Sequence, residues 1–369
     1  MQRYAEMLAA GLPACGVTVD LLKPIPRVGR LKPSAGGVGK WLGYIDKFLL
    51  FPFALRRAIR RSRSDGKKVI VHICDHSNAM YSLHLTGVHH VVTCHDLLAV
   101  RSALGHFPGN PIGWTGRRLQ HWIIRGLRRA ISIVCDSEAT RRDLLALGGI
   151  TPERATTLHI GLNHPYTAHT ESWVKAALTG LPEVERLGQG GYIFHVGGNQ
   201  WYKNREGLLR IYFAYVKQGG RLPLVMAGKA LPARLAAMLT ARPEGAYVIV
   251  LGNVSNEALN ALYCRAACLL FPSLQEGFGW PVLEAMAAGC PVVCSARASL
   301  PEVGGEAAVY FNPDDEAEAS RQLVSLLSEH SQARAVRIQA GHAQAGRFDT
   351  VKMVQQLADH YRKLLAIAC

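Results

Sequence analysis

The sequence predicts an α/β protein made of two doubly wound, Rossmann-like domains that face each other across a cleft. Three observations lead there. The chain has 369 residues, more than a single hydrophobic core usually organises. Short β-rich runs alternate with helical stretches in both halves, which is the pattern of βαβ units and parallel sheets. Between the two series lies a polar connection around residues 167–189, with Gly180, Pro182, Gly188, Gly190 and Gly191 in or beside it. Apolar residues make up 49% of the chain and charged ones 19%, which suits large cores and excludes a disordered chain. No apolar run reaches the roughly 18 residues that a membrane-spanning helix needs.

The elements follow in order. Met1 to Leu12 reads as a helix, with apolar positions at Tyr4, Met7, Leu8 and Leu12. Leu12-Pro13-Ala14-Cys15-Gly16 faintly resembles a lipoprotein cleavage site, but Glu6 interrupts a hydrophobic region already too short for a signal peptide. Val17 to Leu22 reads as a strand, followed by a loop carrying Pro24, Pro26, Gly29, Pro33, Gly36 and Gly37. A doubly wound domain ordinarily opens with a strand and a glycine-rich turn. Neither precedes the first helix, so the N-terminal domain is expected to lack its first strand, as in a truncated chain or one whose Met1 is an internal methionine.

Residues 40–68 combine Trp41, Leu42, Tyr44, Ile45, Phe48, Leu49, Phe51 and Phe53 with Arg56, Arg57, Arg60, Arg61, Arg63, Lys67 and Lys68. That composition fits a helix lying on an anionic membrane surface, and equally a domain helix with a solvated basic end. Strands are then expected at Val69–Ile73, Val88–Cys94, Ile131–Cys135 and Thr156–Ile160, with helices at Arg117–Arg129 and Glu138–Leu147. The second half repeats the pattern. Its strands are Tyr192–Val196, Leu222–Ala227, Tyr247–Leu251, Cys268–Phe271, Pro291–Cys294 and Ala308–Phe311. Its helices include Glu206–Lys217, Glu257–Ala266, Pro281–Ala288 and Glu316–Leu327.

The formal charge of +15 points to polyanionic company such as nucleotide phosphates or anionic lipid; no nucleic-acid recognition motif is visible. Nine cysteines lie mostly in apolar runs and read as reduced core thiols, hence a cytoplasmic protein. Cys264/Cys268 and Cys290/Cys294 have the wrong spacing for zinc, and His72, His76, His84, His89 and His90 have no coherent metal-ligand spacing. No metal is expected.

On open parallel sheets, ligands bind beyond the carboxyl ends of the strands, and the chemical groups fall there. Phe271-Pro272-Ser273-Leu274-Gln275-Glu276 runs from a strand into a loop through Gly277, Phe278 and Gly279. Pro281 then opens a helix that Gly289 closes. Backbone amides and the dipole at that helix start attract anionic or hydroxyl-rich groups. Glu284, one turn in, is placed to accept from a diol such as ribose, and Glu276 to reach sugar hydroxyls. Earlier, His195-Val196-Gly197-Gly198-Asn199 leads to Lys203, a phosphate-binding arrangement. In the first half His95 ends a strand, with Asp96 expected to orient it. Asp136-Ser137-Glu138 reads as a helix cap with Ser137 as the N-cap.

At these residues the chain resembles the retaining glycosyltransferases of family 4, with the architecture called GT-B, over nearly its whole length. The family's E-x7-E pair falls on Glu276 and Glu284, its phosphate-binding lysine on Lys203 and its donor-side histidine on His95. Leu300-Pro301-Glu302-Val303 looks like the next loop. The resemblance implies a metal-independent transfer with retention and no enzyme nucleophile. Glu276 would hold the donor sugar and Glu284 the nucleotide ribose. Lys203, with amides near Gly277 and Gly279, would neutralise the departing diphosphate. Many members pair the lysine with an arginine in the loop that here reads Gly198, Asn199, Tyr202, so Arg205 is the candidate substitute.

The resulting organisation is an acceptor-side domain over residues 1–170, a donor-binding domain over 190–346 and a terminal helix at 347–369 that returns to the first domain. The expected partners are a nucleotide-sugar donor and a glycan or lipid-linked acceptor, in cell-surface polysaccharide assembly. Two alternatives remain open: a nucleotide-sugar epimerase of the same fold, and a non-catalytic sugar-nucleotide-binding protein.

Overall fold

The computed structural model describes residues 2–26, 38–188 and 191–366. They form two compact units. One comprises Met1–Asp136, Arg141–His159 and Val351–Cys369, and the other Ser137–Thr140 and Ile160–Thr350. Among the described residues no helix is long and apolar enough to cross a membrane.

The first unit is built on four parallel strands that lie in chain order: β1 (Ile70–Ile73), β2 (His89–Cys94), β3 (Ser132–Cys135) and β4 (Ala155–Thr157). Val91, Val92, Cys94, Ile133 and Cys135 are fully buried, as expected of strands covered on both faces. Cys94 pairs with Cys135 in the ladder, so β2 and β3 end level. The helix Trp114–Arg129 runs close against the short helical segment His76–His84. Gly126 permits that approach, because a Cβ there would stand 2.2 Å from the Ala79 carbonyl oxygen. The N-terminal helix Gln2–Gly11 sends the Tyr4 hydroxyl to Thr93 (3.2 Å). The terminal helix Thr350–Ala366 packs Val354 against Gly11 and hydrogen-bonds His72 through Tyr361 and Ser132 through His360.

Three sequence expectations change here. Val17 to Leu22 is not a strand: the segment has no ladder among the described residues, and Leu21 and Leu22 lie exposed. Its β-propensity had no neighbouring strand to act on, and propensity in strands is mainly a matter of context. The expected strand Thr156–Ile160 shrinks to Ala155–Thr157. Residues 38–64 form a helix Val38–Ile45, a π-helical turn Asp46–Leu50 and a second helix Phe51–Ser64 rather than one uninterrupted helix, and Phe48, Phe51, Leu55 and Ile59 pack into the core. The loop positions Gly29, Pro33, Gly36 and Gly37 lie outside the described residues, as does Gly190.

The second unit holds six parallel strands: β5 (Ile193–Val196), β6 (Leu224–Ala227), β7 (Val248–Val250), β8 (Cys268–Phe271), β9 (Val292–Ser295) and β10 (Val309–Phe311). They are ordered β10-β9-β8-β5-β6-β7. The chain therefore builds outward from β5 in one direction, returns, and builds from β8 in the other. That reversal is the topological switch point of a doubly wound sheet, the place beyond the strands' carboxyl ends where ligands of such sheets bind. Residues 167–189 are not a bare connection: they carry two short helices, Glu171–Ala177 and Pro182–Glu185, the first capped by Thr170.

Candidate functional site

The loops after β5 and β8 border the switch point, and both carry the residues singled out from the sequence. After β5 the backbone passes through Gly197 and Gly198. A Cβ at Gly197 would stand 3.2 Å from the His195 Nε2, and one at Gly228, beyond β6, would strike the Gly197 carbonyl oxygen at 2.2 Å. Gly228 also has a left-handed φ of 127°, so glycine is required there on both counts. A short turn brings Lys203 back toward β8. Asn204, held at φ 51°, caps the next helix by accepting from the Gly207 amide and donates to the Pro272 carbonyl (3.1 Å). Asn204 thereby ties the lysine-bearing turn to the loop after β8.

In that loop the Lys203 Nζ donates to Glu276 Oε1 at 2.7 Å, with both side chains largely shielded. The ammonium also lies over the rings of Phe271 (5.3 Å) and Tyr202 (5.7 Å), a cation–π setting that favours a fixed charge. The Ser299 hydroxyl sits between the carbonyls of Glu276 and Phe278, and the Gly277 carbonyl accepts from Ser137 and Thr140. Phe278 packs edge-on against Phe348. The loop is thus clamped on several sides.

Gly279 begins the following helix, Trp280–Ala287, at φ 110°, where a Cβ would press on Leu300 at 2.7 Å. The helix closes in a Schellman arrangement, the Gly289 amide donating to Met286 and the Cys290 amide to Ala285, as the sequence suggested. Glu284, one turn in, is buried and accepts from the Tyr263 hydroxyl at 2.9 Å. Burial, reinforced by the Glu284 charge, keeps the Tyr263 hydroxyl protonated and therefore a donor.

Arg205 is more deeply set than a surface phosphate ligand. It is 3% exposed, and its Nη1 donates to Asn199 Oδ1 (2.6 Å) and to the Lys229 carbonyl (2.8 Å). Its Nε and Nη2, like His195 Nε2 and Ser273 Oγ, are buried without a described partner. His195 donates through Nδ1 to the Leu270 carbonyl. Burial, with positive Arg205 and Lys203 nearby, pushes its pKa down to about 3, so its Nε2 presents a lone pair.

His95 belongs to the first unit. Its Nδ1 donates to Asp136 Oδ2 at 2.5 Å and its Nε2 to the Cys74 carbonyl at 2.9 Å. Asp96 does not orient it; that carboxylate instead accepts from the Leu98 amide at the start of a helix. The reason is the register: Cys94 and Cys135 are ladder partners, so the next residues, His95 and Asp136, leave the sheet side by side. Burial pulls the His95 pKa down, but Asp136 and the Cys74 carbonyl outweigh it and hold the value above that of an ordinary histidine. With both ring nitrogens donating, the geometry is that of an imidazolium. Ser137 caps its helix as expected, accepting from the Thr140 amide. Among the described residues no group of three His, Cys, Asp or Glu is placed to hold a metal.

Sequence reasoning missed Asp136 as a partner of His95, Tyr263 as a partner of Glu284, and Ser299 as the loop's brace. Only Asp136 left a signal, since it ends a strand like His95 does.

Residues 190–329 match the family described as glycosyl transferases group 1, and residues 1–164 match glycosyltransferase family 4. The chain belongs to glycosyltransferase family 4. Membership makes it a retaining glycosyltransferase, and its two Rossmann-like units are the GT-B fold. It is 29% identical over 280 residues to the O-antigen chain mannosyltransferase B of Escherichia coli, covering 74% of this chain and 70% of that one. It is 34% identical over 287 residues to the serotype-specific mannosyltransferase WbdA of Escherichia coli. That match also covers 74% of this chain, which spans only 33% of WbdA. Among solved structures, sucrose-phosphate synthase from Thermosynechococcus elongatus superimposes with a TM-score of 0.73 at 18% identity, covering 98% of this chain and 93% of that one. In this family 4 chain Lys203 and Glu276 lie on the two loops that border the switch point, and Glu284 on the helix that follows.

Proposed function

We propose that this glycosyltransferase moves a hexose, mannose by analogy with its relatives, from a nucleotide-sugar donor to a glycan or lipid-linked acceptor. The transfer retains configuration and serves cell-surface polysaccharide assembly, with the enzyme acting peripherally at the inner face of the cytoplasmic membrane. The observation that carries the reading is the Lys203–Glu276 pair at the switch point of the second sheet, beside the Gly197–Gly198 turn.

In this reading the diphosphate lies across the two glycine-bearing loops. Lys203 and the amides near Gly277, Phe278 and Gly279 offset the charge that develops as the glycosidic bond breaks. Glu284, held by Tyr263, accepts from the ribose hydroxyls. Glu276 orients the donor sugar while keeping Lys203 in place. Arg205 braces the Gly197–Gly198–Asn199 turn from below. His95, in the first unit, is held as a cation by Asp136, with its Nε2 N–H given to the Cys74 carbonyl.

Calorimetric titration with UDP and GDP, on the wild type and on Glu284→Ala, tests the donor site. Micromolar binding of one nucleotide, lost in the variant, is expected and identifies the base. A folded protein that binds neither would overturn the assignment.

A further inference from the structure

The positive charge of this chain is not shared between its units. The first unit's residues hold 26 Lys and Arg against 10 Asp and Glu, whereas the second holds 16 against 17. The excess includes a run on the helix Phe51–Ser64, where Arg57, Arg60 and Arg61 are exposed and no described carboxylate pairs with them. Arg56 and Arg63 are also exposed but tie this helix down, donating to the carbonyls of His84 and Gly87.

Just before these arginines the chain exposes large apolar side chains. The π-helical turn Asp46–Leu50 puts an extra residue into the helical path. Phe48 and Phe51 turn inward, against Trp122 and Tyr81, while Leu49, Leu50 and Phe53 turn outward, 58%, 39% and 69% exposed. Phe53, Arg57, Arg60 and Arg61 stand at i, i+4, i+7 and i+8, one face of the helix. Its opposite face is occupied, since Pro52, Leu55 and Ile59 are buried.

An exposed leucine alone means little. Three adjacent large apolar groups, backed along the same face by arginines with no described carboxylate partner, form a two-part surface. Nucleic acid would use the arginines and leave Leu49 and Leu50 idle. A bilayer uses both: apolar side chains enter the acyl boundary, and arginines meet lipid phosphates.

We propose that this face, formed by Leu49, Leu50 and Phe53 with Arg57, Arg60 and Arg61, docks the first unit on an anionic phospholipid bilayer. The proposal rests on the reading of the chain as a peripheral enzyme and is independent of which donor it uses. Docking through the first unit would leave the second, whose charge nearly cancels, to the donor in solution.

The test is flotation of the full chain with phosphatidylcholine vesicles, with and without phosphatidylglycerol. Two variants accompany it: Leu49→Ser/Leu50→Ser/Phe53→Ser and Arg57→Glu/Arg60→Glu/Arg61→Glu. All six side chains point outward, and circular dichroism checks the fold. The wild type should float only with the anionic vesicles, and each triple variant should bind them about tenfold more weakly or worse. Three results would overturn the proposal: no flotation of folded wild type, flotation unchanged in both variants, or duplex DNA binding that the arginine variant loses and the apolar variant keeps. Nucleotide titration of the same samples reads the donor site separately, so failure of one reading leaves the other standing.

Discussion

In the first unit four parallel strands succeed one another in chain order, whereas in the second the order reverses between β5 and β8. The same βα repeat therefore gives two different surfaces. In the reversing sheet the loops of the two central strands bring Lys203 against Glu276 beside their glycine turns. The sequential sheet has no reversal among its described strands. Its functional candidate comes instead from two adjacent strands that end level, which set His95 against Asp136. The units differ equally in charge, the first strongly basic and the second close to neutral. The reversing sheet brings a lysine and a glutamate together beside glycine turns, and the sequential one presents a histidine held by a carboxylate and a basic face.

The comparison breaks first at Lys203. Lys203→Ala removes a charge from the switch point and should lower turnover by about 10²–10³-fold, the usual cost of one preorganised electrostatic group. The His95 titration, followed by NMR, should not move. A variant with near-normal turnover would remove the chemistry from the second unit's switch point.

Asp136→Asn tests the first unit in the same way, with a smaller effect. It should lower the His95 pKa, because the carboxylate that favours the imidazolium is gone, and an NMR titration of the ring reads the shift. The sign for stability follows from the direction of the shift. A histidine raised above its unfolded value near about 6.5 stabilises the fold fully below that pH and loses the contribution as pH rises through the folded value. Wild type and variant should therefore differ in urea unfolding at mildly acidic pH and converge in alkaline solution. Equal gaps at both pH values would mean that Asp136 acts through packing alone.

The smallest effect sharpens the account of the second unit. Tyr263→Phe removes one hydrogen bond to Glu284 and should weaken nucleotide binding by about fivefold, near 1 kcal/mol, with turnover at saturating donor little changed. A loss as large as that of Glu284→Ala would instead assign Tyr263 a direct role on the ligand.

Much of this was legible in the chain. All ten described strands coincide with expected runs within a few residues, because buried parallel strands need continuous apolar stretches and turns punctuate them. Glu276, Glu284 and Lys203 were legible because glycines, a proline and a helix start surround them. Val17 to Leu22 misled, since alternating β-formers make a strand only where a neighbour offers its backbone. Asp96 misled because adjacency in sequence is not adjacency in space: the pairing that matters crosses from β2 to β3.

By itself, then, the sequence determined which segments are strands and helices, which loops carry charge and glycine, and that the chain is basic, because these depend on local composition and periodicity. Tertiary structure alone decided the strand order that places a switch point at β5 and β8. It also decided the register that sets Asp136 beside His95, and which apolar residues of the segment 42–64 face the core and which face solvent. Those outcomes depend on contacts between residues far apart in the chain, and no local pattern encodes them.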